Sequence, residues 1–322
     1  FDGMRNPYHF RYRDNLLVQH TNRNRLSFYY EYDKYTPEGK CIHSWGDDGL
    51  YDYKFVYNET RRTTTFTDSL GQVGKLVYDD RYLITQEIDP LGGVTNYEYD
   101  DAGRTTAVVD PEGRRTEYLY DKRGNLIELT RPDGKSSAIE YNQADRPVQI
   151  TDPDGAIRRQ EWNEQGLLFE EAGPMGAKSH YEYDQYGQPV AFIDPSGART
   201  ELAFDNLGNL AEITDPLGKA TKFKYNPLGQ VITKTDPLGR ETEYLYDNKG
   251  RLVKVIDPNK NQISCVYDPA DNLISYTDEN GAVTRLEYCG LNELKRRIQP
   301  DHKTVEYHYD TEERLIAITN QR

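Results

Sequence analysis

The sequence predicts an all-β protein: tandem 21-residue β-hairpins that join into one long antiparallel sheet. Three observations predict it: an aromatic column with a fixed period, a turn signal just after each aromatic, and a second turn signal about eleven residues on. The column is Tyr57, Tyr78, Tyr99, Tyr120, Tyr141, Trp162, Tyr183, Phe204, Tyr225, Tyr246, Tyr267, Tyr288 and Tyr309, with no insertion or deletion among its thirteen members. A fixed period of this size marks a repeat architecture, in which one unit cannot bury its apolar face alone and neighbours supply the core.

Residues 1–56 are repeat-like but irregular. Asn15-Leu16-Leu17-Val18 and the run from Leu26 to Asp33 read as strands, a loop follows to Gly39, and His43 to Tyr53 leads into the array. Residues 57–322 form the regular array, and no break in its register marks a further boundary. The chain opens on Phe1 and stops inside a repeat, so it reads as a piece of something larger.

Within a unit, the first turn follows the aromatic. The next residue is Asp or Asn in twelve of thirteen units, Cys289 being the exception. Three residues further stands Gly103, Gly124, Gly166, Gly187, Gly208, Gly229 or Gly250, or else Asp145, Asp271 or Asn292, types that tolerate a left-handed backbone. The second turn is Asp-Pro-x-Gly, at Asp89-Pro90-Leu91-Gly92, Asp110-Pro111-Glu112-Gly113, Asp152-Pro153-Asp154-Gly155, Asp194-Pro195-Ser196-Gly197, Asp215-Pro216-Leu217-Gly218 and Asp236-Pro237-Leu238-Gly239. Pro presets φ, Asp accepts hydrogen bonds from turn amides, and Gly releases the chain.

Between turns the pattern has period two, as a half-buried strand requires. The position two before the aromatic is apolar in twelve of thirteen units, Gln160 being the exception, and the residue between is often charged, as at Glu98, Glu140, Glu182 and Lys224. After the first turn, pairs such as Ile127 with Leu129 and Val148 with Ile150 extend the aromatic face. Leu126, Leu210, Leu252 and Leu273 fall near the edge of the opposite face on this alternation.

The motif Tyr-Asp-x-x-Gly-Arg/Asn-Leu, at this spacing over roughly residues 45 to 322, resembles the YD repeat of the Rhs family. The resemblance implies a spiralling sheet that closes into a hollow, cocoon-like shell around a toxic polypeptide, as in bacterial Rhs effectors and insecticidal toxin complexes. Teneurins carry a similar shell for adhesion. The early segments are more similar to Rhs effectors of type VI secretion. Implied partners are the enclosed toxin and proteins of the secretion apparatus. Implied localisation is synthesis in a bacterial cytoplasm followed by export or delivery to a target cell in interbacterial competition. The family's self-cleavage motif begins with a string like Asp-Pro-x-Gly, but the copies here stand in register with the array and lack its continuation. The resemblance therefore transfers no catalytic residue.

Composition narrows the remaining functions. A net charge of −14 disfavours nucleic acid and anionic membrane as partners. No apolar run approaches a membrane span, and no signal segment opens the chain. Cys41, Cys265 and Cys289 do not make a disulfide framework and read as free thiols. The six histidines show no ligand spacing, Walker and GxSxG motifs are absent, and no cofactor is expected. Calcium needs six to eight oxygens, whereas most Asp-Pro turns offer one carboxylate, which turn geometry already explains.

Three readings follow. A non-catalytic shell wall is supported by the unbroken register. An adhesive or carbohydrate-binding surface requires the aromatic columns to face solvent, and an enzyme requires a cleft with a convergent acid and base. Thirteen hairpins supply about 26 strands and ~125 Å of sheet at ~4.8 Å per strand, too long a ribbon to stay flat.

Overall fold

The computed structural model describes residues 7–321, so the chain's opening at Phe1 lies outside the described residues. Among the described residues thirty β-strands belong to one sheet, the described pairings join chain neighbours antiparallel, and the only helical element is the 3-10 turn Asp47–Gly49. Two compact units divide the chain. One comprises residues 1–93 and 243–322, the other residues 94–242.

In the second unit, strands run from Val94–Tyr99 to Val231–Thr235. A six-residue strand ends on the aromatic, as in Arg115–Tyr120, and a five-residue strand follows the turn, as in Leu126–Thr130. Both predicted turns take one geometry. At Asp100 the Gly103 amide donates to the Asp100 carbonyl at 3.0 Å and the Asp100 amide to the Arg104 carbonyl at 3.0 Å; at Asp215 the equivalent bonds to Gly218 and Lys219 are both 2.9 Å. This is a three-residue hairpin loop, a type I turn closed by a left-handed residue. That residue has φ 79° at Gly103 and 75° at Gly218. Asp145, Asp271 and Asn292 occupy the same corner at 58°, 72° and 74°, as their residue types led us to expect.

One feature of the strands departs from the alternation. Leu119 faces Glu128 but Tyr120 faces Leu126, which leaves Ile127 bulged out of the ladder. The same slip recurs beside Tyr141, Trp162, Tyr183, Phe204 and Tyr225 in this unit. Residues directly opposite share a face. Leu126 and Leu210 therefore stand on the aromatic face, against Tyr120 and Phe204, not on the opposite one; Leu252 and Leu273 do the same against Tyr246 and Tyr267 in the first unit. An inserted residue shifts the parity, and that is why simple alternation misplaced these leucines.

The aromatic face is a one-sided layer. Tyr118 opposes Leu129, Ile139 opposes Ile150 and Tyr181 opposes Phe192, all half-buried. Among the described residues no large side chain is fully buried, and the best-covered apolar residues are Ala107, Ala191 and Val305. Ala107 and Ala191 lie on the other face under arginines. Arg115 reaches Glu98 with two nitrogens at 2.6 and 2.9 Å and Glu117 at 2.7 Å, and Arg199 repeats this with Glu182 and Glu201. Each forked guanidinium thus crosses a strand above a small residue.

The first unit contains the remaining repeats and the N-terminal strands. Expected strands appear as Leu16–Thr21 and Ser27–Tyr32, with His9–Arg13 before them and Cys41–Gly46 after. All three cysteines are free.

Candidate functional site: the stitched aromatic face and a turn seam

Twelve of the thirteen column aromatics end a strand; Tyr57 is the penultimate residue of Tyr53–Asn58. Many of their polar tips bind the preceding repeat. Tyr141 Oη donates to the Leu126 carbonyl at 2.9 Å, Tyr183 to Leu168 at 2.7 Å, Tyr225 to Leu210 at 2.7 Å and Tyr267 to Leu252 at 3.0 Å. Trp162 keeps the pattern with its indole nitrogen, 2.7 Å from the Pro147 carbonyl, and Tyr288 and Tyr309 extend it. The acceptor lies fifteen residues upstream in each case. Burial pushes the Tyr141, Tyr225 and Tyr288 phenols up, helped by the turn Asp of the preceding repeat, so they hold the proton that they donate. Sequence reasoning placed these residues in a column but missed the bond, since a backbone carbonyl carries no residue signature.

The residue after the turn glycine completes the joint. Arg104 donates Nε to Asp100 at 2.7 Å and lies over the Tyr120 ring; Arg251 does the same with Asp247 and Tyr267. Where Asn replaces Arg, Asn209 bonds Asp205 at 2.9 Å. The predicted Asp-Pro turns act locally: Asp89, Asp110, Asp194, Asp215 and Asp236 each accept from the amides two and four residues on. Asp152 instead takes Arg158 at 3.2 Å.

A second assembly lies within the first unit, where N-terminal turns meet the turns of the last repeats. Asn22 and Asn24 both donate to the Gly290 carbonyl at 3.0 Å, and the Tyr51 amide donates to the Thr311 carbonyl at 3.0 Å. Tyr53 Oη and the Ser69 amide bind Glu312 at 2.8 and 3.1 Å, with the Ser69 hydroxyl on the same carboxylate. Tyr51 Oη donates to Glu313 at 3.0 Å, and Cys289 Sγ to Glu293 at 3.0 Å. Donor atoms of Cys289, Glu293 and Glu313 lie within 4.8 Å of one another. Burial, first, and the hydrogen bond with Glu293 raise the Cys289 thiol, so within this trio it donates its proton to Glu293.

The RHS-repeat family model matches residues 99–137, 120–157, 183–220 and 225–262. Those four segments match as RHS repeats. No curated protein matches the chain. Among solved structures, the chain has the fold of the TcdB2-TccC3-Cdc42 crystal structure, at TM-score 0.81 and 17% identity over 97% of this chain and 20% of that one. TcdB2-TccC3 without its hypervariable C-terminal region matches at 0.75 and 17% over 97% and 19%, and a Photorhabdus luminescens Tc holotoxin pore at 0.73 and 18% over 92% and 18%. The chain spans about a fifth of the length of these relatives, which share its fold. No helix among the described residues is long and apolar enough to cross a membrane.

Proposed function

We infer that this chain is a non-catalytic wall segment of a shell that encloses a toxic polypeptide. One observation carries the reading: a 21-residue array in unbroken register, matched in part by the RHS-repeat model, whose fold is that of TcdB2-TccC3-Cdc42 over 97% of the chain. The stitching fits a wall. Each repeat is paired to its neighbour by strand hydrogen bonds, many are tied further by a phenol or indole bond and some by an arginine, so the sheet resists splaying without a second layer behind it. The adhesive reading needs free ring faces and tips, whereas many of the column's tips are spent on backbone carbonyls and several faces lie under cations. Residues 1–56 would form the irregular start of the wall and residues 57–322 its regular part. Partners would be the enclosed toxin and the apparatus that delivers it, with interbacterial competition through type VI secretion as the setting.

The test is protease protection in the open reading frame that contains this chain. A non-repeat segment that survives digestion while the repeats stay folded, and is degraded once mild denaturant opens them, is the expected result. Degradation of every non-repeat segment from intact repeats overturns the enclosure; saturable glycan binding by those repeats would install the adhesive reading.

A further inference from the structure

The seam in the first unit contains an acid pair that the wall function does not use. Glu313 occupies the left-handed corner of its turn at φ 54°, where most repeats have glycine. A non-glycine residue there carries backbone strain, which a contact by its side chain can offset. Its carboxyl meets Glu293 from the neighbouring turn and Tyr51 from the N-terminal segment. Among the described residues neither carboxyl has an ion-pair partner. Arg314, the cation on this turn, is held by Asp310 at 2.9 Å.

We propose that this seam is a proton-controlled latch, closed while Glu293 and Glu313 share one proton and loosened when both ionise. Two carboxylates this close repel once both are charged, and undocking lets water separate them. The groups facing the pair are Cys289 and Tyr309 from the last repeats and Tyr51 from the N-terminal segment; Glu312, Tyr53 and Asp68 stand next to them. All are acids or neutral donors, and Arg314, which also lies near Glu312 and Asp68, is held by Asp310, so among the described residues no cation pairs with the second charge. Burial, foremost, and the hydrogen bond with Glu293 hold the Glu313 carboxyl up at about 7, while Tyr51 and Tyr53 are pushed to about 12 and stay protonated throughout. Glu313 is raised in the docked state, so its contribution is full in acid and is lost as pH rises through about 7. The latch therefore closes in acid and loosens in alkali.

Hydrogen exchange on the whole chain tests this, because the Tyr51 amide is bonded to the Thr311 carbonyl across the seam. After correction for intrinsic rates, its opening equilibrium should grow on the order of tenfold from about pH 5.5 to about pH 8.5, a value discounted for partial exposure. The Asn226 amide, bonded to the Gln230 carbonyl within its own turn, serves as the reference and should not change. Glu313→Gln should hold Tyr51 at the acid level across the range. A flat profile in the unaltered chain, or an unchanged slope in both Glu313→Gln and Glu293→Gln, overturns the latch. Should the Gln variants undock at every pH, carboxyl titration of the unaltered chain decides. One carboxyl titrating near 7 supports the latch, and both titrating near the ordinary 4.5 overturn it.

Discussion

The aromatic, the turn acid, the left-handed glycine, the arginine and the leucine of each motif perform one task, which is to join a repeat to its neighbour. Tyr225 illustrates the energetic split between ring and tip. Its ring is half-buried beside Leu210 of the preceding repeat, and its hydroxyl donates to the Leu210 carbonyl at 2.7 Å. Tyr225→Phe removes the bond and leaves the carbonyl short of a partner, so it should cost about 1 kcal/mol. Tyr225→Ala removes the ring as well and should cost about 3 kcal/mol, the lower end for a buried aromatic because the site is half-exposed. Urea midpoints of the two variants check both values. The column was legible in the sequence because burial selects residue type. The arginine's place over the next ring was not, although its recurrence at Arg104, Arg146 and Arg251 is the signal that would have found it.

At the scale of the hairpin, two sequence signatures encode one loop. Proline distinguishes them in the sequence, while the acid and the left-handed corner set the geometry in both. Gly218, at φ 75° with open space around a would-be Cβ, isolates the backbone contribution. Gly218→Ala should destabilise its hairpin by about 1 kcal/mol, the left-handed penalty alone; thermal unfolding measures it. The turn acids also make stability fall in acid. Asp236 is held below its usual range chiefly by Arg240, Asp194 by the Ser196 hydroxyl and Asp205 by Asn209, each assisted by turn amides. Their contribution is present above the ordinary 3.8 and lost as pH falls through their depressed values, so melting should drop progressively below about pH 4. Calcium or chelator should leave the melting temperature unchanged, because these carboxylates are engaged by amides and side chains of their own loops. The hairpin loops were legible because only a few residue types satisfy them. The bulge was not, since Ile127, Val148, Phe169 and Ala211 are all apolar and so fit the simple alternation that the inserted residue breaks.

Across the molecule, stability is a sum of nearest-neighbour joints rather than one packed core. The period made that legible, but it could not reveal the seam, whose partners are separated by more than 240 residues in the chain. The period alone gives Tyr309 and Tyr225 the same standing. The seam changes that expectation. Tyr309 donates to the Leu294 carbonyl at 2.9 Å and stands at the base of the turn Asp310–Glu313, whose Thr311, Glu312 and Glu313 receive the N-terminal segment. Truncation of Tyr225 has only adjacent hairpins to disturb, so hydrogen exchange in Tyr225→Ala should rise between residues 204 and 246 and leave residues 99–141 protected. Truncation of Tyr309 loosens the turn that carries the seam. Exchange in Tyr309→Ala should therefore rise locally and also at Tyr51 and Ser69, far away in the chain but bonded to that turn. A response confined to residues 294–321 would show that the seam holds independently of the hairpin beneath it, and the two joints would then count as separate terms in the sum.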